Sequence, residues 1–293
     1  SYIVKVSLSG YMTETATVTV VCGEETYHPF YLLPFVIGPW DDVHMKFVMN
    51  DTGEPLSGYD VDISGMGIGD VDRFVATGYG RINVPFADRQ ITELTCHARG
   101  IASLFPSARI ALDIGGQDAK GLKIKDGRLT DFVMNDKCAA GTGRFLEVIA
   151  QTLGLKLEEL GDIASNSQNR VTISNTCTIF ARQEIATRIS EGVPIEDIVA
   201  GLHQAIASRV AGMLKRLKIE PDVVFTGGVA KNIGVVRAVR EILGREVLVP
   251  DDPLISGALG AALLGKELTV KAIADGKSVQ TVERRLEEAR FFE

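Results

Sequence analysis

The sequence predicts an α/β protein of about two domains, because its 293 residues exceed the usual size of a single domain. Two short apolar segments, 109–114 and 222–226, run directly into the glycine pairs 115–116 and 227–228, as buried strands do when a tight turn follows. The segment 198–214 carries apolar residues every four positions and predicts a long helix. Strands and helices that alternate in this way are typical of the α/β class.

Composition and charge exclude several functional classes. A hydrophobic fraction of 45% with 24% charged residues is ordinary for a globular protein, and the formal net charge of −7 argues against non-specific binding to nucleic acid. No apolar run approaches the roughly 18 residues that span a bilayer, and no signal peptide is visible. Four scattered cysteines do not indicate a secreted disulfide scaffold. We therefore expect a soluble, cytoplasmic protein without a membrane or nucleic-acid partner.

The first 70 residues predict a β-rich segment of atypical pattern. Residues 2–8 and 15–21 alternate like two strands about a Ser-Gly turn, and no phosphate-binding glycine loop occurs in this part of the sequence. From residue 71 the pattern becomes regular, with a strand predicted at 73–76 and a helix at 92–104. Cys96 and His97 are adjacent on that helix and do not face one another, which favours packing roles over a shared metal site.

An acidic residue precedes the first glycine pair. Asp113 lies at the end of the predicted strand 109–114, and the glycines that follow let backbone N–H groups approach a phosphate. Asp113 could then hold a hydrated magnesium ion. The alternative is a plain β-hairpin with a surface aspartate, since 120–125 predicts a second strand and Asp126-Gly127 a hairpin turn.

Two cysteines occur at similar places before predicted helices. Cys138 precedes small residues and glycines, and apolar positions from Leu146 onward then recur at helical spacing, so a helix should begin near Gly143. Cys177 follows a run of N-cap residues, and a second helical face starts at Ala181. The N–H groups and dipole of a helix N terminus favour a thiolate, which suits a metal or cluster ligand or a nucleophile. An iron–sulfur cluster usually needs four thiolates, which a two-fold dimer would supply.

The C-terminal half completes the alternating pattern. The second glycine pair and the helix that restarts behind it allow the backbone to approach a flat ligand such as adenosine, although a βα turn can also need glycine for steric reasons alone. Residues 247–249 predict another strand, 256–262 a small-residue helix that permits close packing, and 282–290 an exposed helix.

These segments together resemble the acetate kinase/Hsp70/actin ATPase superfamily, and the resemblance implies an actin-like, two-lobed ATPase fold. They resemble more closely the ATP-dependent activators of 2-hydroxyacyl-CoA dehydratases and the related ATPase subunits of benzoyl-CoA reductases. The resemblance extends over about 71–265, and the run 134–145 is its most specific part. It implies an N-terminal lobe at 1–109, completed by 254–293, and a C-terminal lobe at 110–253. The segments that carry it are 76–81, 113–118, 134–145, 174–180, 225–232 and 257–262.

The resemblance also implies a role for each candidate site residue. Cys138 and Cys177 map onto the ligands of one [4Fe-4S] cluster shared between two subunits, either two copies of this chain or a pair of paralogues. Asp113 maps onto a contact with Mg²⁺, and Gln117 onto a residue that orients the attacking water. The residues implied for ATP/ADP binding are Gly115, Gly116, Gly141, Thr142, Gly143, Glu184, Gly227, Gly228 and Lys231.

The implied activity is ATP-driven electron transfer. Reduced ferredoxin or flavodoxin would donate one electron, and the chain would pass it to a CoA-thioester dehydratase or reductase. The family normally begins with a first phosphate loop, Asp-Ile/Val-Gly-Ser-Thr, which residues 1–70 lack. The alternative function is therefore a non-hydrolysing, cluster-carrying or scaffold subunit. A sugar or acetate kinase of the same fold is disfavoured, because two helix-opening cysteines have no role in that chemistry.

Overall fold

The computed structural model describes residues 35–36, 73–84, 87–135, 137–175 and 177–277. The strands predicted at 2–8 and 15–21 and the helix predicted at 282–290 lie outside this part of the chain. The chain divides into two compact units, one formed by Ser1–Ser103 with Ile255–Glu293 and the other by Leu104–Leu254.

The described elements alternate as an α/β protein requires. The strands are β1 (Phe35–Val36), β2 (Arg73–Ala76), β3 (Arg89–Gln90), β4 (Ile110–Ile114), β5 (Ala119–Lys125), β6 (Arg128–Asn135), β7 (Val223–Thr226) and β8 (Val247–Leu248). The helices are α1 (Glu93–Leu104), α2 (Gly143–Leu153), α3 (Leu160–Ser165), α4 (Thr178–Ser190), α5 (Ile195–Leu214), α6 (Ile233–Leu243) and α7 (Ser256–Ala274). The strands and helices predicted between residues 71 and 262 are confirmed, and the hairpin turn predicted at Asp126-Gly127 leads into β6.

The first unit contains a three-stranded sheet in the order β1-β2-β3, against which α7 packs. Small residues let α7 approach α1, as the sequence predicts. A Cβ at Gly260 would overlap the carbonyl oxygen of Cys96, and a Cβ at Gly100 would overlap that of Ser256. Glycine is therefore required at both of these contacts between the helix backbones. Cys96 and His97 are both buried in this unit, in agreement with packing roles.

The second unit contains a five-stranded sheet in the order β6-β5-β4-β7-β8. β4 runs parallel to β7 and antiparallel to β5, and the β5–β6 hairpin turns at Asp126 and Gly127, which have φ values of 51° and 71°. Every residue of β4 and of β7 is buried. These strands and the apolar faces of α2, α4, α5 and α6 form one continuous core. The centre of the sheet is therefore rigid, and the turns after β4 and β7 start from fixed positions.

Candidate functional site

The two glycine pairs lie side by side at the carboxyl edge of the second unit's sheet. β4 and β7 are parallel and pair Asp113 with Thr226, so Gly115 and Gly227 follow neighbouring strand ends. Gly227 has a φ of 85°, and a Cβ there would lie 2.7 Å from the carbonyl carbon of Ile114. The second glycine turn is therefore packed against the end of β4. Ligands of open α/β sheets bind at this edge of the sheet.

Substitution of Gly227 by alanine is expected to destabilise the second unit by roughly 2–3 kcal/mol, because the new methyl group meets β4 and the backbone conformation is restricted to glycine. Chemical denaturation measures this loss. Gly116→Ala is the matched control, because a Cβ at that position has nothing within 4 Å. A Gly227→Ala protein as stable as Gly116→Ala would contradict the close packing of the two turns.

Asp113 belongs to a buried network of charged groups. The hydroxyl of Thr226 donates to Asp113 Oδ1 at 3.0 Å, and Lys120 Nζ lies 3.7 Å from Asp113 Oδ2. Lys120 Nζ also lies 2.7 Å from Asp118 Oδ2. Asp113 is 4% exposed, so the alternative of a surface aspartate is wrong. Thr226 and Lys120 instead hold the carboxylate in one orientation.

Sequence reasoning missed Lys120, although the sequence carries a signal for it. Lys120, Leu122 and Ile124 share one face of β5, because alternate residues of a strand point the same way. Leu122 and Ile124 are buried, and a lysine in line with them requires a negative partner in the interior. Asp113 and Asp118 supply that charge.

The turn after β4 exposes its central residues. The N–H of Gly115 donates to the carbonyl of Asp118 at 3.0 Å, which closes the turn. Gly116 and Gln117 are exposed at its tip. A ligand at the carboxyl edge of the sheet can therefore reach the backbone of Gly116 and the amide of Gln117.

Helix α2 is joined directly to this turn. The N–H of Gly143 donates to the carbonyl of Gly115 at 2.8 Å, and the N–H of Arg144 donates to the carbonyl of Gly116 at 2.7 Å. The predicted helix start near Gly143 is confirmed. However, the first N–H groups of the helix are bound to the glycine turn, and Cys138 lies upstream across the turn 139–142. The helix therefore follows Cys138 as predicted, but the expectation that its first N–H groups stabilise a Cys138 thiolate is wrong, because the N–H groups of Gly143 and Arg144 are bound to other acceptors.

The segment that carries Cys138 is held by its own hydrogen bonds. The side-chain amide of Asn135 donates to the carbonyls of Cys138 at 2.9 Å and of Ala140 at 3.0 Å. The hydroxyl of the fully buried Thr142 donates to the carbonyl of Ala139 at 2.8 Å. Cys138 itself is half-buried. The implied nucleotide contact of Thr142 stays a prediction, while the structure shows the residue stabilising the cysteine segment.

Cys177 lies at the N-cap position of α4, as predicted. Its φ of −150° is extended, and its carbonyl accepts from the N–H of Ala181 at 3.0 Å. Glu184 accepts from the N–H of Ser174 at 2.9 Å, so this carboxylate fixes the segment that leads into Cys177. Cys138 and Cys177 both carry thiols rather than disulfide sulfurs. The helices that follow them, α2 and α4, contact each other and share the core of the second unit.

The second glycine turn leads into α6 through a well-formed cap. Gly228 and Lys231 are exposed on a short 3-10 turn. Asn232 then caps α6, accepting from the N–H groups of Gly234 at 2.9 Å and of Val235 at 3.1 Å. The exposed residues of this turn are therefore available to a ligand and belong to the same sheet edge as Gly116 and Gln117.

A cavity of about 260 Å³ lies elsewhere in the second unit, among α3, α5 and α6. From its place in the apolar pattern of 198–214, His203 is predicted to be an ordinary surface or interface histidine. It lines this cavity and is 2% exposed, so that prediction is wrong. Burial, together with the charge of Arg237, lowers the pKa of His203 to about 4, which leaves the ring neutral at pH 7. None of the described residues that line this cavity is a predicted site residue.

The fold and the adjacent glycine turns define this chain as an α/β ATPase of the actin-like class, which confirms the predicted fold class. The chain belongs to the BadF/BadG/BcrA/BcrD ATPase family, which it matches over residues 59–265. No described helix is both long and apolar enough to cross a membrane.

The names of similar proteins support this family assignment. The chain is 53% identical to a 2-hydroxyisocaproyl-CoA dehydratase activator of Clostridioides difficile over 201 residues, which are 68% of this chain and 76% of the relative. It is 32% identical to a benzoyl-CoA reductase subunit of Thauera aromatica over 210 residues, 69% of this chain and 74% of the relative. A solved structure of the activator of the 2-hydroxyisocaproyl-CoA dehydratase from Clostridium difficile with bound ADPNP superposes with a TM-score of 0.69 at 49% identity, covering 75% of this chain and 82% of that one.

Proposed function

We propose that this chain is an iron–sulfur ATPase that couples ATP hydrolysis to low-potential one-electron transfer onto a CoA-thioester dehydratase or reductase. The observation that carries the proposal is the pair of hydrogen bonds from Gly143 and Arg144 to the carbonyls of Gly115 and Gly116. These bonds join the first glycine turn, which is proposed to hold the phosphates, to the first turn of α2, which follows Cys138. A displacement of the glycine turn would therefore also displace the start of α2. Such a shared rigid element is the physical basis of coupling between two sites.

The two cysteine segments are proposed to form half of a [4Fe-4S] site. Both thiols are half-buried, and thiolates are the usual ligands of such clusters. We propose that a second copy of the chain, or a paralogous subunit, supplies the other two ligands across a two-fold axis. Ile179 and Phe180, which are 74% and 62% exposed beside Cys177, offer apolar surface for that contact. The bound cluster would supply a one-electron carrier of low potential.

The nucleotide is proposed to bind at the carboxyl edge of the sheet. Asp113 is held in one orientation by Thr226 and Lys120, which suits it to receive a hydrated Mg²⁺. Gln117 is exposed at the tip of the first glycine turn, where its amide can orient a water. These groups act by positioning and charge neutralisation, as phosphoryl transfer to water requires. The residues proposed for ATP/ADP are Gly115, Gly116, Gly141, Thr142, Gly143 and Glu184, with Gly227, Gly228 and Lys231 on the adenosine side.

The relatives support the choice of electron acceptor. Their names connect the family with 2-hydroxyacyl-CoA dehydratases and with benzoyl-CoA reductase, so a CoA-thioester dehydratase or reductase is the proposed partner. Reduced ferredoxin or flavodoxin is the proposed donor, and the cytoplasm the proposed location. The proposed lobes are 1–109 with 254–293, and 110–253.

A reconstitution experiment tests the proposal. The chain is loaded with iron and sulfide under anaerobic conditions and reduced, and ATP hydrolysis is then measured together with electron transfer to a purified dehydratase component. We expect electron transfer that requires MgATP and its hydrolysis. A cluster without ATP-dependent transfer would favour the alternative, a non-hydrolysing subunit that carries a cluster. Failure to form any cluster would overturn the electron-transfer function and leave only a scaffold role.

A further inference from the structure

Arg209 lies on α5 between the two cysteine segments. Its neighbour Val210 is in the core of the unit, while Arg209 is half-buried. The aliphatic stem of Arg209 packs against Gly141, where an added Cβ would lie 3.1 Å from Arg209 Cδ and 3.4 Å from Cγ. Gly141 has a φ of 88° and follows Cys138 closely in the chain. The stem of Arg209 therefore supports the first cysteine segment at its most restricted residue.

The other end of the same side chain contacts the second cysteine segment. Arg209 Nη1 donates to the backbone carbonyl of Asn175 at 3.0 Å, and Asn175 lies just before Cys177. A hydrogen bond from a charged donor is stronger than a neutral one. One residue thus touches both segments, with its apolar stem on one and its guanidinium on the other.

Two other anchors among the described residues, Asn135 and Glu184, act on one segment each. Asn135 holds the carbonyls of Cys138 and Ala140 within the first segment, and Glu184 holds the N–H of Ser174 within the second. Such bonds fix the shape of each segment but not the position of one relative to the other. Arg209 supplies that cross-connection from a 20-residue helix that is buried along much of its length.

We infer that Arg209 is a positioning residue that holds the two cysteine segments in one arrangement, so that both sulfurs face a common ligand. The inference rests on the proposed function, in which Cys138 and Cys177 bind one cluster. The claim that Arg209 connects the two segments does not depend on a bound cluster, so it can be tested separately on the protein without iron.

Amide hydrogen exchange on the protein without iron tests this connection. Arg209→Met keeps most of the stem and removes the donor, so exchange should quicken in residues 172–178 and stay slow in 138–142. Arg209→Ala removes both contacts, the packing against Gly141 and the hydrogen bond to Asn175. Amide exchange should then be roughly tenfold faster in each of the two segments. The control is Arg216→Ala, a substitution of an exposed arginine just beyond α5. Unchanged exchange in Arg209→Ala, or an equal increase in β4, would overturn the inference.

Spectroscopy of the reconstituted protein tests the part that concerns the cluster. In Arg209→Ala the reduced cluster should give an altered electron paramagnetic resonance spectrum and lose iron faster. In Arg209→Lys the spectrum and the iron retention should return most of the way to wild type, because the ammonium can still donate to the carbonyl of Asn175. A wild-type spectrum and iron retention in Arg209→Ala would overturn the positioning role. If the unsubstituted chain forms no cluster, the proposed function fails, while the exchange data still decide whether Arg209 connects the segments.

Discussion

Replacement of Cys138 by serine is expected to abolish cluster assembly while nucleotide binding and folding persist. A hydroxyl does not ionise near neutral pH and cannot replace the thiolate, and in a two-fold homodimer one substitution removes two of the four proposed ligands. Iron and sulfide analysis with electron paramagnetic resonance measures the cluster, and calorimetry with ADP measures nucleotide binding. Cys177→Ser should have the same effect, and the double variant should add nothing further.

The matched control is Cys96→Ser. Cys96 is fully buried in the other unit, and burial raises the pKa of its thiol to about 11, so the thiol is protonated at neutral pH, and Cys96 is not one of the proposed ligands. The Cys96→Ser protein should assemble a wild-type cluster. A normal cluster in Cys138→Ser would show that the ligand assignment is wrong.

Replacement of Lys120 by methionine is expected to destabilise the second unit by about 3–5 kcal/mol, the usual cost of removing one partner of a buried ion pair. Lys120 Nζ lies 2.7 Å from Asp118 Oδ2 and 3.7 Å from Asp113 Oδ2, so the variant leaves two buried carboxylates without their shared cation. Because Asp118 closes the turn at Gly115, affinity for ADP should fall as well. Chemical denaturation and calorimetry measure the two effects.

Two further variants separate charge from packing. Lys125→Met alters an exposed lysine on the same strand and should change stability by no more than about 0.5 kcal/mol. The double variant Lys120→Met with Asp118→Asn removes one of the two carboxylate charges that lose Lys120 and should recover part of the loss. Equal stabilities for Lys120→Met and Lys125→Met would refute the buried network.

Much of the fold could be predicted because its signals are local. Helix α5 shows its apolar period directly, and β4 and β7 are short apolar runs bounded by glycine pairs. The predicted hairpin turn at Asp126-Gly127 implied a strand after it, but the bounds of β6 were not predicted, because most of its residues are exposed or half-buried and its sequence lacks a clear apolar alternation. The resemblance carried by 134–145 identified the family, but it assigned roles to residues without showing what those residues contact.

Several contacts at the site could not be predicted because they join distant parts of the chain. Periodicity places Arg209 on α5 but gives no reason for it to reach Gly141 and Asn175. The spacing between Cys138 and Gly143 suggested a thiol beside the helix N terminus, whereas the helix N–H groups are bound to the carbonyls of Gly115 and Gly116. Competition between possible acceptors for the same donors is decided only when the chain is folded.

The sequence by itself determined the α/β class, the two glycine turns and the position of each cysteine before a helix, since each depends on residues close together in the chain. Only the tertiary structure decided that Asp113 lies in a buried network with Lys120, and that the first glycine turn is bound to α2. The physical reason is that ion pairing and hydrogen bonding depend on distances in space. Those distances were set here by the parallel pairing of β4 with β7 and by the shared core beneath them.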